Sequence, residues 1–349
     1  MTPCRVGLIG YGLSGASFHA PFLETTPGLQ LSMIVTRDPE RQARAAREHP
    51  GARVVDSVEQ LWNAAGQLDA VVVATPNRSH VEFARAALDV GLAAVVDKPL
   101  APSAAAARAL IEHARERGRL LTVYQNRRWD GDFLTLRYLL QDGAVGQPLR
   151  FESRFERWRP EWRPNWRNSA GPEEAGGLLF DLGSHLIDQA LLLFGPVARV
   201  YAELDQRRPQ AVVDDDSVVA LTHRSGVRSY LSMSVLAAQP GPRFRLLGSK
   251  AAYVKFGMDV QEDALRAGGR PGAAGWGQEP VDRWGQLGCL DALEPVPTSA
   301  GAYQEFYLGL ARALRDGGPP PVDPVDAVGV LDVIEAARRA AATGRVVEL

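Results

Sequence analysis

The sequence predicts an α/β protein of two domains: a doubly wound parallel sheet comes first, and a domain built on a largely antiparallel open sheet follows. The 349 residues are 46% hydrophobic, which is enough for two ordinary cores. Up to Tyr124, β-branched runs alternate with amphipathic segments, as in a parallel sheet covered by helices. Later strand-like segments follow one another without helical crossovers. We therefore predict domains at residues 1–125 and 126–349.

The first-domain strands are short apolar runs, predicted at residues 6–9, 31–35, 53–55, 69–74, 93–96 and 120–124. The intervening helices begin at capping residues or end at glycine or proline. They are predicted at residues 17–23, 38–49, 79–90 and 103–117, and one more begins at residue 57. Parallel strands end at one shared edge of a sheet. The loops after them are therefore the expected ligand-binding edge.

The second domain begins with a predicted helix near residues 132–140. Strands with one wet face are predicted at residues 149–155, 197–204, 217–222, 227–234 and 244–247. Residues 267–277 and 319–321 are predicted loops. Residues 324–342 form a final alanine-rich helix, which we expect to pack back on the first domain.

The overall charge and the cysteine content narrow the class of protein. Lys and Arg number 39 against 41 Asp and Glu, so the net charge of −2 favours a small-molecule partner over nucleic acid. Cys4 and Cys289 are too few for a disulfide framework, and we find neither a charged leader nor an apolar run that would span a membrane. The sequence therefore predicts a cytoplasmic protein.

A glycine-rich turn follows the first strand and opens a helix; it consists of Gly10, Tyr11, Gly12, Leu13, Ser14 and Gly15. In this context the first glycine permits the tight turn, the second lets the backbone approach a pyrophosphate, and the third lets helix and strand pack closely. Helix N-terminal amides then face the phosphates. The turn predicts a Rossmann domain that binds a nicotinamide dinucleotide; the alternative is an ordinary strand-to-helix turn.

The end of the second strand bears on the choice of cofactor. NAD sites usually carry an acidic residue there, but this sequence has Thr36 followed by Arg37. A guanidinium beside the adenine ribose would bind a 2′-phosphate, so the sequence favours NADP. In the alternative, Arg37 is solvated, Asp38 only caps the next helix, and NAD is used.

Further motifs, in order along the chain, resemble the glucose-fructose oxidoreductase/inositol dehydrogenase family (Gfo/Idh/MocA). They are Ala74-Thr75-Pro76-Asn77-Arg78-Ser79-His80, Asp97-Lys98-Pro99, Gly176-Gly177 with Asp181 to His185, and Tyr303 to Tyr307. The segment from Asn126 to Phe133 resembles the branch that contains NADP-dependent scyllo-inositol dehydrogenases. One departure is Asp97, where the family usually has Glu, and this shorter carboxylate leaves the role of the position open.

The resemblance implies a Rossmann domain and a C-terminal α/β domain whose open sheet often supports dimers or tetramers. It implies that Lys98, Asp181 and His185 meet beside the nicotinamide. It implies further that Lys98 contacts the cofactor together with the motif that follows the fourth predicted strand, at Ala74, Thr75, Pro76 and Asn77. It also suggests a substrate-binding segment at Arg128, Trp129 and Asp130.

The three candidate catalytic residues suit hydride transfer at a carbinol carbon, which requires a proton to leave the hydroxyl. We assign His185 as general base and acid, Lys98 as the cation that stabilises the developing alkoxide, and Asp181 as the group that orients the imidazole or the substrate. No Cys/His cluster has metal-ligand spacing, so no metal is expected. The alternatives are a surface lysine, a helix-start aspartate and a core histidine. His80 is expected to pack or cap at a helix start.

Residues 157–167 interleave arginine, tryptophan and proline. The prolines prevent a regular helix and the chain lacks an extended positive field, so we reject nucleic-acid binding. A loop over the active site is the alternative we favour, in which Trp166 and Arg167 contact the substrate, since indole faces pack on sugar C–H surfaces. A loop that supports its own domain or a subunit interface explains the segment equally well.

The expected activity is therefore NADP-dependent interconversion of a hydroxyl and a carbonyl on an inositol, polyol or sugar, in a homodimer or homotetramer. Reduction of a different carbonyl or a conjugated double bond is one alternative, because fold-level resemblance does not fix the substrate. A dinucleotide-binding sensor without catalysis is the other, and the presence of Lys98, Asp181 and His185 speaks against it.

Overall fold

The computed structural model describes residues 2–162, 170–171 and 174–349. Six parallel strands form the first sheet: β1 (Cys4–Ile9), β2 (Leu29–Val35), β3 (Arg53–Val55), β4 (Ala70–Val73), β5 (Ala93–Asp97) and β6 (Leu121–Tyr124). Their order is β3-β2-β1-β4-β5-β6, so the direction of winding reverses between β1 and β4. A crevice opens at the carboxyl ends of strands at such a point, and this places the glycine-rich turn and the β4 and β5 loops together.

Five helices cover this sheet: α1 (Ala20–Thr25), α2 (Pro39–Glu48), α3 (Val58–Asn63), α4 (His80–Asp89) and α5 (Ala104–Glu116). As predicted, Asp38 caps α2, and its carboxylate accepts the N–H groups of Glu40 and Arg41 at 2.9 and 3.1 Å. The crossover helix predicted from residue 17 begins earlier, because a π-helical turn over Ser14–His19 precedes α1. This turn extends the helix N-terminus to the glycine-rich turn itself.

The described part of the second domain contains one mixed, mostly antiparallel sheet. Its strands are β7 (Pro148–Glu156), β8 (Val197–Asp205), β9 (Asp216–His223), β10 (Arg228–Ser234), β11 (Phe244–Gly248), β12 (Ala252–Lys255), β13 (Gly285–Cys289), β14 (Ala292–Val296) and β15 (Val347–Glu348). The order is β14-β13-β12-β11-β7-β10-β9-β8-β15, and only β7 and β10 pair in parallel among these strands. The predicted fold class is confirmed. The last four strands were not predicted, because they are short or lie at sheet edges, where Pro295 is tolerated.

The helices described in the second domain are α6 (Gly131–Gln141), α7 (Ser184–Phe194), α8 (Gln261–Arg266), α9 (Gln304–Asp316) and α10 (Pro324–Thr343). The chain returns to the first domain through α10, which packs against α5. Arg108 of α5 binds Asp332 at 2.6 Å, and Glu335 accepts the N–H of Ala104 at 2.8 Å. None of the described helices is both long enough and apolar enough to cross a bilayer.

Candidate active site

A cleft of about 770 Å³ lies between the carboxyl edge of the first sheet and the second domain. The glycine-rich turn, the end of β5 and the start of α7 contribute to its wall, together with the extended segment that follows β7. The residues that line it include Ser14, Lys98, Arg127, Arg157, Asp181 and His185. Both domains therefore contribute charged side chains to one cavity, and small-molecule sites commonly lie at such domain interfaces.

The three glycines of the turn are required for different reasons. Gly10 has a φ of +100°, and a Cβ there would lie 2.5 Å from the carbonyl oxygen of Ala74. A Cβ at Gly15 would lie 2.0 Å from the carbonyl oxygen of Gly10. A Cβ at Gly12 would lie 3.6 Å from Nη1 of Arg41, its nearest neighbour, which is an ordinary van der Waals contact. The protein itself requires the first and third glycines, whereas the second leaves room for a ligand, as a pyrophosphate cradle demands.

This difference predicts the effect of Gly12→Ala. The methyl group fits the folded protein, so we expect the free energy of unfolding without nucleotide to stay within about 0.5 kcal/mol of wild type. It occupies the space that a pyrophosphate would enter, so dinucleotide affinity should fall by roughly tenfold or more. Thermal unfolding and fluorescence titration with NADPH measure the two quantities.

Gly15→Ala is the matched comparison, because its Cβ meets backbone. We expect this variant to lose more than about 1 kcal/mol of unfolding free energy even without nucleotide. Wild-type affinity for NADPH in Gly12→Ala would contradict the assignment of the cradle.

The side chain of Tyr11 belongs to the domain rather than to the cleft. It is buried, and its hydroxyl lies 2.7 Å from Glu48 Oε2 and 2.7 Å from His49 Nε2. The ring of His49 binds Glu24 at 2.7 Å through its other nitrogen. Tyr11 therefore contributes backbone to the turn, while its side chain holds α2 against the helix after the turn.

The side chains at the end of β2 lie where an adenine ribose is expected. Thr36 is buried, and its carbonyl accepts a hydrogen bond from Gln42 at 2.8 Å, whereas Arg37 is exposed. Asp38 is engaged in capping α2. The guanidinium of Arg41 lies near Gly12, so this end of the crevice presents two arginines.

The loop after β4 joins the cofactor side of the cleft to the second domain. Ala74 and Asn77 are buried, and the Asn77 amide donates to the carbonyl of Ala175 at 3.0 Å. The two ring nitrogens of His80 lie 2.9 Å from the carbonyl oxygen of Thr75 and 2.8 Å from that of Pro99. As predicted, His80 packs at a helix start, and it fixes the loop after β4 to the loop after β5.

Lys98 and Asp181 form an ion pair across the two domains. Lys98 Nζ donates to the Asp181 carbonyl at 2.5 Å and to Oδ1 of its carboxylate at 3.0 Å. An ammonium group has three N–H donors, so these contacts leave one for a substrate oxygen in the cleft. The two residues are far apart in sequence, and the structure brings them together as the resemblance implies.

His185 lies one helical turn after Asp181, because a π-helical turn (Leu179–Gly183) runs directly into α7. Its ring is buried and packs edge-on against Phe155, with the ring centroids 6.2 Å apart. Nδ1 has no hydrogen-bond partner among the described residues. Burial and the positive charges of Lys98 and Arg127 lower the pKa of His185 well below its usual value, and the charge of Asp181 opposes them only in part. The imidazole is therefore neutral at neutral pH, as a general base must be.

Sequence reasoning missed Arg127, which lines the cleft in place of its neighbour Arg128. The short helical turn Asn126–Trp129 directs successive side chains about a third of a turn apart. Arg128 consequently points away from the cleft and binds Asp188 at 2.6 Å and Asp326 at 2.9 Å. We therefore replace Arg128 by Arg127 as a substrate-side residue.

Trp129 and Asp130 also lie outside the cleft wall. The Trp129 ring packs on Phe306, with centroids 5.9 Å apart, and the buried Asp130 accepts the Tyr303 hydroxyl at 2.6 Å. Their contacts hold α9 against the turn that carries Arg127. These contacts support the cleft wall, and neither residue lines the cleft itself.

A second group that sequence reasoning missed supports the segment of Asp181 and His185. Asp214 Oδ2 accepts the N–H of Leu179 at 2.7 Å and the Ser217 hydroxyl at 2.9 Å. A Cβ at Gly177, whose φ is +93°, would lie 2.0 Å from Oδ1 of the same carboxylate. The Gly176-Gly177 motif is therefore explained by close packing, and the Asp214-Asp215-Asp216 run was the available sequence signal.

The described part of the arginine- and tryptophan-rich segment lines the cleft through residues 157–161. Arg157 and Trp158 continue the strand direction of β7, and Trp158 forms an isolated bridge with Leu236. Trp166 and Arg167 lie outside the described residues.

Family models agree with this architecture. A model described as the NAD-binding Rossmann fold of an oxidoreductase family matches residues 4–125, and the model for its C-terminal alpha/beta domain matches residues 137–349. The chain belongs to the Gfo/Idh/MocA oxidoreductase family. It is 38% identical to the oxidoreductase YdgJ of Escherichia coli, over 95% of this chain and 94% of that protein.

Two further comparisons of this Gfo/Idh/MocA protein, one of sequence and one of structure, lead to Bacillus subtilis. The chain is 35% identical to scyllo-inositol 2-dehydrogenase (NADP(+)) IolW, over 99% of this chain and 96% of the relative. The solved structure of YvaA superposes with a TM-score of 0.94 at 34% identity, covering 100% of this chain and 99% of that one. The similarity therefore extends through both domains.

The family context gives meaning to Asp97, which stands where Gfo/Idh/MocA proteins usually have Glu. Its carboxylate accepts the Ser14 hydroxyl and, at 2.8 Å, the backbone N–H of Lys98. Burial opposes its charge, but the neighbouring His19 ring and the Ser14 hydroxyl outweigh burial and hold the pKa of Asp97 below its usual value. The shorter side chain thus ties the glycine-rich turn to Lys98.

Proposed function

We propose that this oxidoreductase uses NADP and interconverts a hydroxyl and a carbonyl group on an inositol, polyol or sugar. The observation that carries the proposal is the Lys98–Asp181 ion pair, which lines the same cleft as His185 and Ser14 of the glycine-rich turn. When bound in the crevice, the nicotinamide would accept or donate the hydride.

The chain's own groups supply the proton transfer. In the oxidation direction, the neutral imidazole of His185 accepts the hydroxyl proton of the substrate. The remaining Lys98 N–H donor stabilises the negative charge that develops on the substrate oxygen, and Asp181 holds the ammonium group in place at 3.0 Å. In the reverse direction, protonated His185 returns the proton to the oxygen while Lys98 polarises the carbonyl.

Three observations support NADP as the cofactor. Thr36 stands where NAD sites carry an acid, Asp38 caps α2 and pairs with Arg41 at 3.6 Å, and Arg37 and Arg41 place two guanidinium groups at the ribose end of the crevice. The relative IolW is named as an NADP(+)-dependent scyllo-inositol 2-dehydrogenase, which supports both the cofactor and the substrate class.

Arg37→Ala tests the choice of cofactor. If Arg37 binds the 2′-phosphate, the variant should lose roughly tenfold in NADPH affinity and almost none in NADH affinity, since only NADPH carries the phosphate. Fluorescence titration of both reduced dinucleotides measures the effect. Arg47→Ala, which removes an exposed arginine from the last turn of α2, is the control and should leave both affinities unchanged. An equal loss for NADPH and NADH would contradict the assignment.

A panel of inositols and sugars, followed at the nicotinamide absorbance with NADP, tests the activity itself. We expect reduction of NADP with at least one polyol or sugar, or oxidation of NADPH with the corresponding ketone. NADP binding without turnover of any of these compounds would favour the dinucleotide-binding sensor. Turnover only with unrelated carbonyl or conjugated substrates would favour the alternative reductase.

Cytoplasmic location and assembly into a dimer or tetramer remain part of the proposal. The small cysteine content and the two free cysteines, Cys4 and Cys289, support a reducing compartment. Sedimentation equilibrium measures the subunit number directly.

A further inference from the structure

Arg157 is a cation in the cleft wall whose guanidinium has no hydrogen-bond or ion-pair partner in the part of the chain that the structure describes. Other partly buried cations of the wall are each paired. Their pairs are Lys98 with Asp181 at 3.0 Å, Arg127 with Glu262, and Arg208 with Asp215 at 2.8 Å. Arg157 is also only partly exposed, but it has no such partner among the described residues.

Backbone pairing fixes the position of Arg157. Its N–H donates to Ser234 at 2.8 Å, so the chain remains extended beyond β7. In an extended chain, residues two apart lie on the same side and about 6.6 Å from each other. Arg157 therefore lies on the same side of the extended segment as Phe155, whose ring packs against His185 with centroids 6.2 Å apart. Arg157 and the proposed catalytic base both line the cleft.

The surrounding carboxylates compensate the charge of Arg157 only in part. Burial lowers the pKa of its guanidinium, and the positive charges of Arg159 and Arg127 add to the effect. Glu262 and Asp181 oppose them, but Glu262 already binds Arg127 and Arg266, and Asp181 binds Lys98. An unpaired cation that has lost part of its hydration is costly, and a bound anion would remove that cost.

We propose that Arg157 binds an anionic group of the substrate, a carboxylate or a phosphate, while Lys98 and His185 act on a hydroxyl of the same molecule. The proposal rests on the polyol dehydrogenase function proposed above and narrows its substrate class to acidic polyols and sugars. A guanidinium suits this role, because its planar donors match both carboxylate and phosphate oxygens.

Calorimetric titration of the full chain saturated with NADP tests the proposal, with D-glucitol, D-gluconate and D-glucitol 6-phosphate as probes. These compounds share a carbon skeleton and differ in charge, and the two anions separate the carboxylate from the phosphate. We expect at least one anion to bind tenfold or more tightly than D-glucitol. Arg157→Gln should abolish that preference, and Arg157→Lys should retain part of it.

Arg150→Gln is the matched control, because it removes an exposed guanidinium from the other end of β7. We expect it to keep the wild-type preference, and NADPH affinity should be unchanged in every variant. Equal binding of D-glucitol and both anions by the wild type, or a preference that survives Arg157→Gln, would overturn the proposal. So would a loss of NADPH affinity in Arg157→Gln without any loss of anion affinity.

Nicotinamide absorbance recorded in the same samples separates this proposal from the proposed function. Arg157-dependent anion binding without turnover of any polyol or sugar would overturn the dehydrogenase function and leave the anion site. Turnover of neutral polyols with no preference for anions would overturn the anion site and leave the dehydrogenase function.

Discussion

Lys98→Met is expected to lower kcat by about 10²–10³, because it removes the cation that stabilises the developing alkoxide. Methionine has a similar length and no charge, so the cleft should keep its shape. Asp181 and His185 remain in the variant, but the cross-domain ion pair of 3.0 Å is lost. Steady-state kinetics with a turned-over polyol and NADP give kcat, and NADPH titration reports cofactor affinity, which should change little.

Lys250→Met provides the control for removing a lysine, because Lys250 is exposed and lies outside the cleft wall. Its kcat should match wild type. A kcat for Lys98→Met within about threefold of wild type would remove Lys98 from the proposed mechanism.

His185→Gln is expected to lower kcat/KM by about 10²–10⁴, because the general base is lost. Glutamine keeps a polar group of similar reach beside Phe155 but does not accept a proton at neutral pH. NADPH affinity should stay near wild type. As a control, His113→Gln changes another buried histidine, which binds Asp89 at 2.9 Å on the far side of the first domain, and it should retain activity.

The environment of His185 also predicts the pH dependence. Burial, Lys98 and Arg127 lower its pKa below the usual value of 6.5, so the neutral base persists at lower pH than for a free histidine. The acidic limb of kcat/KM for polyol oxidation should therefore lie below pH 6.5, and reduction should become slower as pH rises through that range. An acidic limb above pH 6.5, or a limb unchanged in His185→Gln, would show that another group controls the proton transfer.

The parts of the fold that depend on local pattern were predictable. The β-branched run of β4, the cap at Asp38 and the glycine-rich turn each follow from backbone preferences that act within a few residues. The π-helical turn before α1 was not predicted, because the residue pattern does not distinguish it from an ordinary helix start. The edge hairpin of β13 and β14 was missed for a related reason, since edge strands carry little apolar periodicity.

The candidate site also contains residues that local sequence motifs predicted and residues that only the assembled structure reveals. Motifs identified Lys98, Asp181 and His185 as candidates, and the structure places them in one cleft. The choice between Arg127 and Arg128 depended on the direction of one short helical turn, which the sequence does not specify. Asp214 was missed because its contacts with Leu179 and Ser217 require the second sheet to be assembled.

The packing of α10 against α5 has a consequence for how the protein forms during synthesis. Ala104 and Ala107 of α5 are buried, and the carboxylate of Glu335 in α10 binds the N–H of Ala104. The ribosome releases α10 only after the whole first domain and nearly all of the second sheet have emerged. The first domain is therefore translated early but completed late, and until then the part of α5 that α10 covers faces water.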